Sequence, residues 1–252
     1  MNLTILGCSG SVPGPAAPAS GYLVEAQGYR LVLDLGHGAF GELQRYVDPA
    51  DVDAIVISHL HADHMIDLTA YIVALRYGGA RFRQRPGGRI PLVGPAGTRD
   101  RLEAAYDPLA RKLGLHELFG FSTPSDGMTL GPFTLTFTPT RHPVPTTAVR
   151  ISHGERSLVY SADTGESPAL VELARGADAF LCEASLMPED EYVPDLHLTG
   201  LQAGQHAARA GVGRLILTHV PPWASPEVQA SEAARAYDGP IEVARPGAVF
   251  QL

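Results

Sequence analysis

Six consecutive residues of this chain carry three imidazoles and one carboxylate. They run from His59 to His64 with the sequence HLHADH, and they follow the short apolar run Ile55–Ile57, which has the pattern of a buried strand. Imidazole and carboxylate suit divalent zinc, manganese or iron, and the set contains no thiolate. In an irregular turn after the strand, His59 and His61 can face one metal while Asp63 and His64 reach a second.

Three further candidate ligands stand just past the ends of apolar strands, where α/β folds commonly place their chemistry. They are His142, Asp163 and His219, which follow the predicted strands Phe133–Phe137, Ser157–Tyr160 and Arg214–Leu217. Asp163 is suited to bridge two metals roughly 3.5–4 Å apart, which activate a water for attack on an electrophile. We expect Zn2+ first, with Mn2+ or Fe2+ as alternatives. The seven predicted ligands are His59, His61, Asp63, His64, His142, Asp163 and His219.

The elements that position these ligands are partly visible in the same pattern. Helical periodicity resumes at Met65, so the motif is predicted to lie in a turn between a strand and a helix. Near the N-terminus, the strand Asn2–Leu6 leads into Gly7–Ser11, whose small residues allow backbone N–H groups to approach a phosphate oxygen. A tight turn between two strands explains the glycines equally well. Ser9 is the candidate substrate contact in this segment.

The order of these motifs resembles that of the metallo-β-lactamase superfamily, and the resemblance covers nearly the full length of the chain. It implies an α/β fold, a four-layer αββα sandwich in which two mixed sheets face each other and helices lie outside. By this resemblance, the first metal is held by His59, His61 and His142. The second metal is held by Asp63, His64 and His219, with Asp163 between the two.

Departures from the superfamily pattern narrow the resemblance. True β-lactamases of this fold typically have Cys where Asp163 stands, and the diiron oxidases usually have Glu in place of His61. The segments Leu181–Ser185 and Asp195–Thr199 look like two ribonuclease Z-type motifs. The resemblance implies that His197 donates a proton to the leaving oxygen and that Glu183 orients it. The alternative is that His197 only caps the helix beginning near Thr199, although Thr199 is itself a good N-cap candidate.

A closer resemblance concerns the substrate. Several segments look like the atypical class II cyclic-nucleotide phosphodiesterases of high-GC bacteria, namely Leu6–Ser11, Pro18–Tyr22, Leu181–Ser185, Pro194–Gly200 and Leu217–Trp223. This resemblance implies hydrolysis of 3′,5′-cyclic AMP, and often cyclic GMP, to the 5′-monophosphate. Asp63 is then expected to steer or deprotonate the attacking water, and Thr199 to contact substrate. Trp223 either stacks on the purine or packs beside a Pro-Pro turn.

Other functions remain as alternatives. The resemblance implies that ribonuclease Z enzymes with a long exosite carry an extended tRNA-binding arm between the third histidine and the bridging aspartate. Here only 20 residues separate His142 from Asp163 and the net charge is −8, so a ribonuclease Z-like tRNA-processing nuclease is disfavoured. Five arginines between Arg76 and Arg89 either bind phosphate or form a solvated loop. These arginines are Arg76, Arg81, Arg83, Arg85 and Arg89. The last two alternative functions are a non-catalytic regulatory metal protein and a thioester or lactone hydrolase.

Composition and absences bound the remaining expectations. A hydrophobic content of 45% supports one extensive core, so a single domain is expected over residues 1–252. The N-terminus lacks the pattern of a signal peptide and no apolar run approaches about 18–20 residues, which predicts a cytoplasmic protein without a membrane partner. Cys8 and Cys182 are predicted to be small buried residues rather than a disulfide. Relatives of this kind are commonly dimers, so a homodimer is expected.

Overall fold

Two mixed β-sheets form the centre of the molecule. The computed structural model describes residues 1–79, 88–107, 114–189 and 193–252. The described strands are β1 (Asn2–Gly7), β2 (Gly21–Ala26), β3 (Tyr29–Leu35), β4 (Ala54–Val56), β5 (Ile90–Val93), β6 (Phe119–Ser122), β7 (Met128–Leu130), β8 (Phe133–Pro139), β9 (Thr147–His153), β10 (Arg156–Tyr160), β11 (Ala179–Glu183), β12 (Leu215–Thr218), β13 (Ile241–Val243) and β14 (Val249–Gln251).

Each sheet has seven described strands, antiparallel at one side and parallel at the other. The first sheet has the order β14-β1-β2-β3-β4-β5-β6, and β3 to β6 run parallel. The second has the order β13-β12-β11-β10-β9-β8-β7, and β10 to β13 run parallel. Both sheets therefore contain parallel strands whose carboxyl ends can carry polar side chains to a shared edge.

Helices cover the outer face of each sheet. The described helices are α1 (Ala39–Leu43), α2 (Ala62–Met65), α3 (Leu68–Tyr77), α4 (Thr98–Tyr106), α5 (Pro168–Ala174), α6 (Gly200–Ala210) and α7 (Pro226–Ala233), with short 3-10 turns at Pro49–Asp51 and Leu115–Glu117. The alternating side chains of β3 show the layering, because Leu31 and Leu33 enter the core between the sheets while Val32 packs under helices. A third core lies under α5, α6 and α7. The predicted αββα sandwich is confirmed.

The predicted elements differ from the structure in detail around the histidine-rich motif. The predicted strand Ile55–Ile57 is β4, Ala54–Val56, and it begins one residue earlier. The helical pattern expected from Met65 corresponds to α3, which begins at Leu68. A separate short helix, α2, precedes it from Ala62 to Met65, where His64 and Ile66 make helical backbone hydrogen bonds to His61 and Ala62. The irregular turn is therefore shorter than expected, and Asp63 and His64 stand on the first turn of a helix.

The predicted arginine cluster is only partly covered by the described residues. Arg76 lies in α3 and Arg89 directly precedes β5, whereas Arg81, Arg83 and Arg85 lie outside the described residues. The proposed phosphate-binding role of this cluster therefore stays a prediction.

Among the described helices, the structure contains none that is long and apolar enough to cross a membrane.

Candidate metal centre and active site

All seven predicted ligands meet at one edge of the two sheets. His59 follows β4 by three residues, while His142 and Asp163 follow β8 and β10 by the same interval. His219 directly follows β12. Together with Asp63 and His64 on α2, these side chains form two clusters whose donor atoms lie within 4.8 Å of one another, and Asp163 belongs to both. The first cluster contains His59, His61, His142 and Asp163; the second contains Asp63, His64, Asp163 and His219.

In the first cluster, three imidazole nitrogens converge on one point. His61 Nδ1 lies 3.0 Å from His59 Nε2 and 3.1 Å from His142 Nε2. Asp163 Oδ2 completes the group at 3.6 Å from His59 Nε2. Burial lowers the pKa of His59, His61 and His142, which favours the neutral imidazole that binds a metal. Three lone pairs facing one another beside a carboxylate fit a divalent cation.

The second cluster is almost completely buried. His64 Nε2 lies 3.2 Å from His219 Nε2 and 3.2 Å from Asp163 Oδ1, and Asp63 Oδ2 lies 3.2 Å from His219 Nε2. Burial lowers the pKa of His64, yet the carboxylates of Asp163 and Asp34 outweigh it and raise this pKa well above its usual value. The site therefore attracts positive charge, as a metal site must.

Asp163 supplies the strongest evidence that these residues fit metal ions. Its side chain is buried, with Oδ2 toward the first cluster and Oδ1 toward the second. Among the described residues the Oδ1 atom makes no hydrogen bond of good geometry, although His64 Nε2 lies 3.2 Å away. A buried carboxylate oxygen without a donor is costly unless a cation satisfies it. A shared carboxylate between two sets of nitrogen and oxygen donors suits two divalent ions.

Asp34, which the sequence analysis missed, holds the second cluster in place. Its carboxylate accepts hydrogen bonds from the backbone and hydroxyl of Ser58 at 2.7 Å each, and from Tyr160 Oη at 2.8 Å. It also lies 2.8 Å from His64 Nδ1, which leaves His64 Nε2 directed into the cluster. The sequence signal was a single carboxylate inside the apolar strand β3. Its role becomes visible only when β3 and β4 pair side by side.

Two other predicted ligands are oriented in the same way through their second ring nitrogen. His219 Nδ1 lies 2.8 Å from Ser185 Oγ, and the same hydroxyl donates to the carbonyl oxygen of His219 at 2.8 Å. His142 Nδ1 lies 3.0 Å from the carbonyl oxygen of Leu196. Such partners fix the tautomer and the ring direction of a ligating histidine.

Glu183 and His197 form a carboxylate–imidazole pair beside both clusters. His197 Nδ1 lies 2.9 Å from Glu183 Oε1, and the His197 ring centre lies 5.4 Å from those of His142 and His219. Burial lowers the pKa of His197, but the Glu183 charge and hydrogen bond raise it to about 9. Glu183 is itself buried at the end of β11 and accepts the backbone N–H of Thr164 at 2.7 Å. Glu183 therefore favours the protonated form of the His197 imidazole beside the metal clusters.

The alternative role of His197 as a helix cap belongs to its neighbour. Thr199 is the N-cap of α6, and its hydroxyl accepts the backbone N–H of Gln202 at 3.2 Å. The Gln202 side chain accepts the backbone N–H of Thr199 at 2.9 Å, which completes a capping box. The prediction that Thr199 caps a helix is confirmed. Its predicted contact with substrate stays a prediction.

The remaining candidate substrate contacts lie on two loops around the site. Ser9 is buried, and its hydroxyl donates to the carbonyl oxygen of Val12 at 2.6 Å. It lines a cleft of about 660 Å³ together with Val220 and Pro222, which follow His219 in sequence. Trp223 is 69% exposed, which disfavours the packing interpretation. Contact of Ser9 and Trp223 with substrate stays a prediction.

Comparisons with known proteins agree with this geometry. The beta-lactamase superfamily domain matches residues 29–220. The uncharacterized protein Rv1339 of Mycobacterium tuberculosis is 46% identical over 246 residues, covering 96% of this chain and 88% of that protein. A ribonuclease Z of Mycobacterium bovis is 30% identical over 272 residues, covering 96% and 95%.

A solved structure shows the same fold. The crystal structure of the metallo-beta-lactamase fold protein YhfI from Bacillus subtilis superimposes with a TM-score of 0.88 at 29% identity, covering 99% of this chain and 98% of that one. The family match spans both metal clusters, from β3 to the residue after His219. The chain therefore belongs to the beta-lactamase superfamily, in its ribonuclease Z-like branch.

Proposed function

We propose that this chain is a binuclear-metal phosphodiesterase that hydrolyses 3′,5′-cyclic nucleotides, cyclic AMP foremost and cyclic GMP second, to 5′-monophosphates. The observation that carries the proposal is the Glu183–His197 pair. A carboxylate oxygen of Glu183 and a ring nitrogen of His197 lie within 4.8 Å of a ring nitrogen of His219, a member of the second cluster. Hydrolysis of an alkyl phosphodiester expels an alkoxide, which benefits strongly from a positioned acid. A thioester hydrolase has less need of such an acid, because a thiolate is a better leaving group than an alkoxide.

The metal ions have well-defined places in this proposal. The first is assigned to His59, His61 and His142, and the second to Asp63, His64 and His219, with Asp163 shared. When bound, two divalent ions, Zn2+ first, supply charge stabilisation for the phosphoryl oxygens and lower the pKa of a water molecule. The relative YhfI of Bacillus subtilis is a probable metallo-hydrolase, which supports metal dependence.

Two side chains, Asp63 and His197, carry out the two proton transfers of the proposed reaction. Asp63, whose Oδ2 lies 3.2 Å from His219 Nε2, steers the attacking water and accepts its proton. As the bond between phosphorus and the 3′-oxygen breaks, His197 donates a proton from Nε2, because its Nδ1 faces Glu183. The 3′-oxygen leaves as a hydroxyl and the water oxygen stays on phosphorus. The product is the 5′-monophosphate.

Glu183 has two tasks in this scheme. Its negative charge keeps His197 protonated before the reaction, and its hydrogen bond fixes the ring direction. Its own position is fixed by backbone N–H groups, including those of Ser185 and Leu198 at 3.3 Å each. A carboxylate held in this way orients the acid without moving during turnover.

A tRNA-processing nuclease is the second candidate, because ribonuclease Z enzymes are among the relatives. The interval between His142 and Asp163 contains only the antiparallel pair β9 and β10, joined by a turn after His153. An extended tRNA-binding arm has no room there. The net charge of −8 also opposes binding of a large polyanion. A small anionic substrate fits these two observations better.

A substrate panel tests the proposal. Zinc-loaded protein is assayed with cyclic AMP, cyclic GMP, a precursor tRNA, a lactone and a thioester, with a chelator-treated sample as control. We expect metal-dependent release of 5′-AMP and little turnover of the other classes apart from cyclic GMP. Correct cleavage of the precursor tRNA without cyclic-nucleotide turnover contradicts the proposal. Absence of turnover in the whole panel favours a regulatory metal protein.

A further inference from the structure

The loop that carries His197 is attached to the molecule at two separate places. We call residues Val193–Thr199 the acid loop. Its base is held by Gln229 of α7, which is fully buried. Gln229 Oε1 accepts the backbone N–H of Gly200 at 2.6 Å, and its Nε2 donates to the carbonyl oxygen of Leu186 at 2.8 Å. The base of the acid loop is therefore part of the folded core.

The tip of the acid loop is held differently, by the segment that carries a predicted metal ligand. Arg141, the residue before His142, pairs with Asp195 at 3.3 Å, and both side chains are more than half exposed, at 55% and 59%. The next residue, Leu196, accepts from His142 Nδ1 at 3.0 Å. The tip thus contacts the first metal cluster's own segment directly.

The backbone at the tip is strained, and its surroundings hold it in that state. Asp195 has a φ of 58°, the left-handed region that residues other than glycine rarely adopt. Its backbone packs against Gly165, where an added Cβ would lie 2.8 Å from Asp195 Cα. Such conformations persist only where neighbouring contacts fix them. Arg141 is itself fixed, because its carbonyl oxygen accepts the backbone N–H of Gly165 at 2.7 Å.

We propose that Arg141 and Asp195 form a latch that positions His197, two residues beyond Asp195, over the metal clusters. This inference rests on the proposed function, because it assigns His197 as the acid for an alkoxide leaving group. Exposed ion pairs contribute little to folding stability, so this pair is poorly explained as a stability device. Its value lies in fixing the distance between the acid and the segment that carries His142. Arg141 and Asp195 are positioning residues in this account.

The test compares two leaving groups in zinc-loaded full-length protein. Cyclic AMP needs a proton on its departing alkoxide, whereas bis(p-nitrophenyl) phosphate expels a stabilised phenolate that does not. We expect Arg141→Ala and Asp195→Asn each to lower kcat for cyclic AMP by about ten-fold, since small misplacements of a catalytic group are costly. The KM for cyclic AMP and the turnover of bis(p-nitrophenyl) phosphate should change little.

Three further variants sharpen the comparison. Arg141→Lys keeps the charge and should recover most of the lost kcat. The double variant Arg141→Ala/Asp195→Asn should be no slower than either single variant, because both remove one interaction. Arg156→Ala is the matched control, since Arg156 pairs with Asp178 at 2.7 Å on the second sheet and has a similarly exposed side chain. It should leave both substrates unaffected.

A measurement that needs no turnover keeps the latch separate from the proposed function. Hydrogen exchange of the peptide covering 193–199 should accelerate in Arg141→Ala and Asp195→Asn, and stay unchanged in Arg156→Ala. Unchanged exchange in both latch variants overturns the latch. If wild-type protein does not hydrolyse cyclic AMP, the proposed function fails, and the exchange result alone decides the latch.

Two kinetic results also overturn it. A raised KM in Arg141→Ala with a neutral Asp195→Asn would mean that Arg141 binds substrate directly. Equal losses on both substrates would mean that the variants disturb the metal centre rather than the acid.

Discussion

The metal clusters and the acid loop position their side chains by different means. The ligands follow paired strands or stand on or next to the short helix α2, and His59 and His64 are fully buried, with Asp34 behind His64. His197 stands on a loop, with 13% of its side chain exposed, and it depends on Glu183 and on contacts at the loop tip. The difference implies that the metal site is a rigid part of the core. The position of the acid His197, in contrast, can change with little loss of folding stability.

The largest expected effect comes from removing the ligand shared by both clusters. Asp163→Ala should reduce turnover of every phosphodiester to background, beyond the ~10²–10⁴-fold that one general acid contributes. Metal content per chain should fall with it, as measured by elemental analysis beside the activity assay. Asp238→Ala, at an exposed position, is the control. Retention of both metals and of activity in Asp163→Ala would remove the bridging role.

A smaller loss of metal binding is expected from a change at Asp34, which contacts the predicted ligand His64. Asp34→Asn keeps the shape of the side chain but loses the charge that faces His64 Nδ1. Loss of such a partner typically weakens metal affinity by about 10–100-fold. Chelator competition measures this affinity directly, and circular dichroism checks that the variant folds. Unchanged zinc affinity would show that Asp34 serves only to fix Ser58 and Tyr160.

Glu183→Gln should act on proton donation and leave metal binding intact. Glu183 raises the pKa of His197 to about 9 against the effect of burial, so neutralising it lowers that pKa. The protonated acid is then lost at lower pH, and the alkaline limb of the kcat profile for cyclic AMP shifts down, with roughly a ten-fold loss at pH 8. Glu172→Gln, at an exposed position, is the control. An unshifted limb would separate Glu183 from the acid.

The smallest effect is expected at the rim. Trp223→Ala removes an exposed indole that is predicted to stack on the purine. Stacking on a base contributes about 1–3 kcal/mol, and the low end of this range raises KM about five-fold. Trp223→Phe should retain most of the affinity, and kcat should be unchanged in both. If KM does not change in Trp223→Ala, the tryptophan does not contact the base.

The difference between the metal clusters and the acid loop also explains which parts of the site could be predicted from the sequence. All seven predicted ligands converge because each follows a recognisable apolar strand or belongs to one dense motif. Asp34 was missed because it stands 24 residues before Ser58, and only strand pairing brings them together. Arg141 and Asp195, 54 residues apart, are an ordinary charge pair in the sequence. The start of α2 was missed because its first turn is polar and lacks the apolar periodicity that marks a helix.

His197→Ala, assayed on the two leaving groups in zinc-loaded protein with His153→Ala as control, tests most directly whether His197 is the acid. We expect cyclic AMP hydrolysis to fall by about 10²–10⁴-fold in His197→Ala, while hydrolysis of bis(p-nitrophenyl) phosphate changes little. Equal losses on the two substrates, or full cyclic AMP hydrolysis in His197→Ala, would contradict the assignment of His197 as the acid.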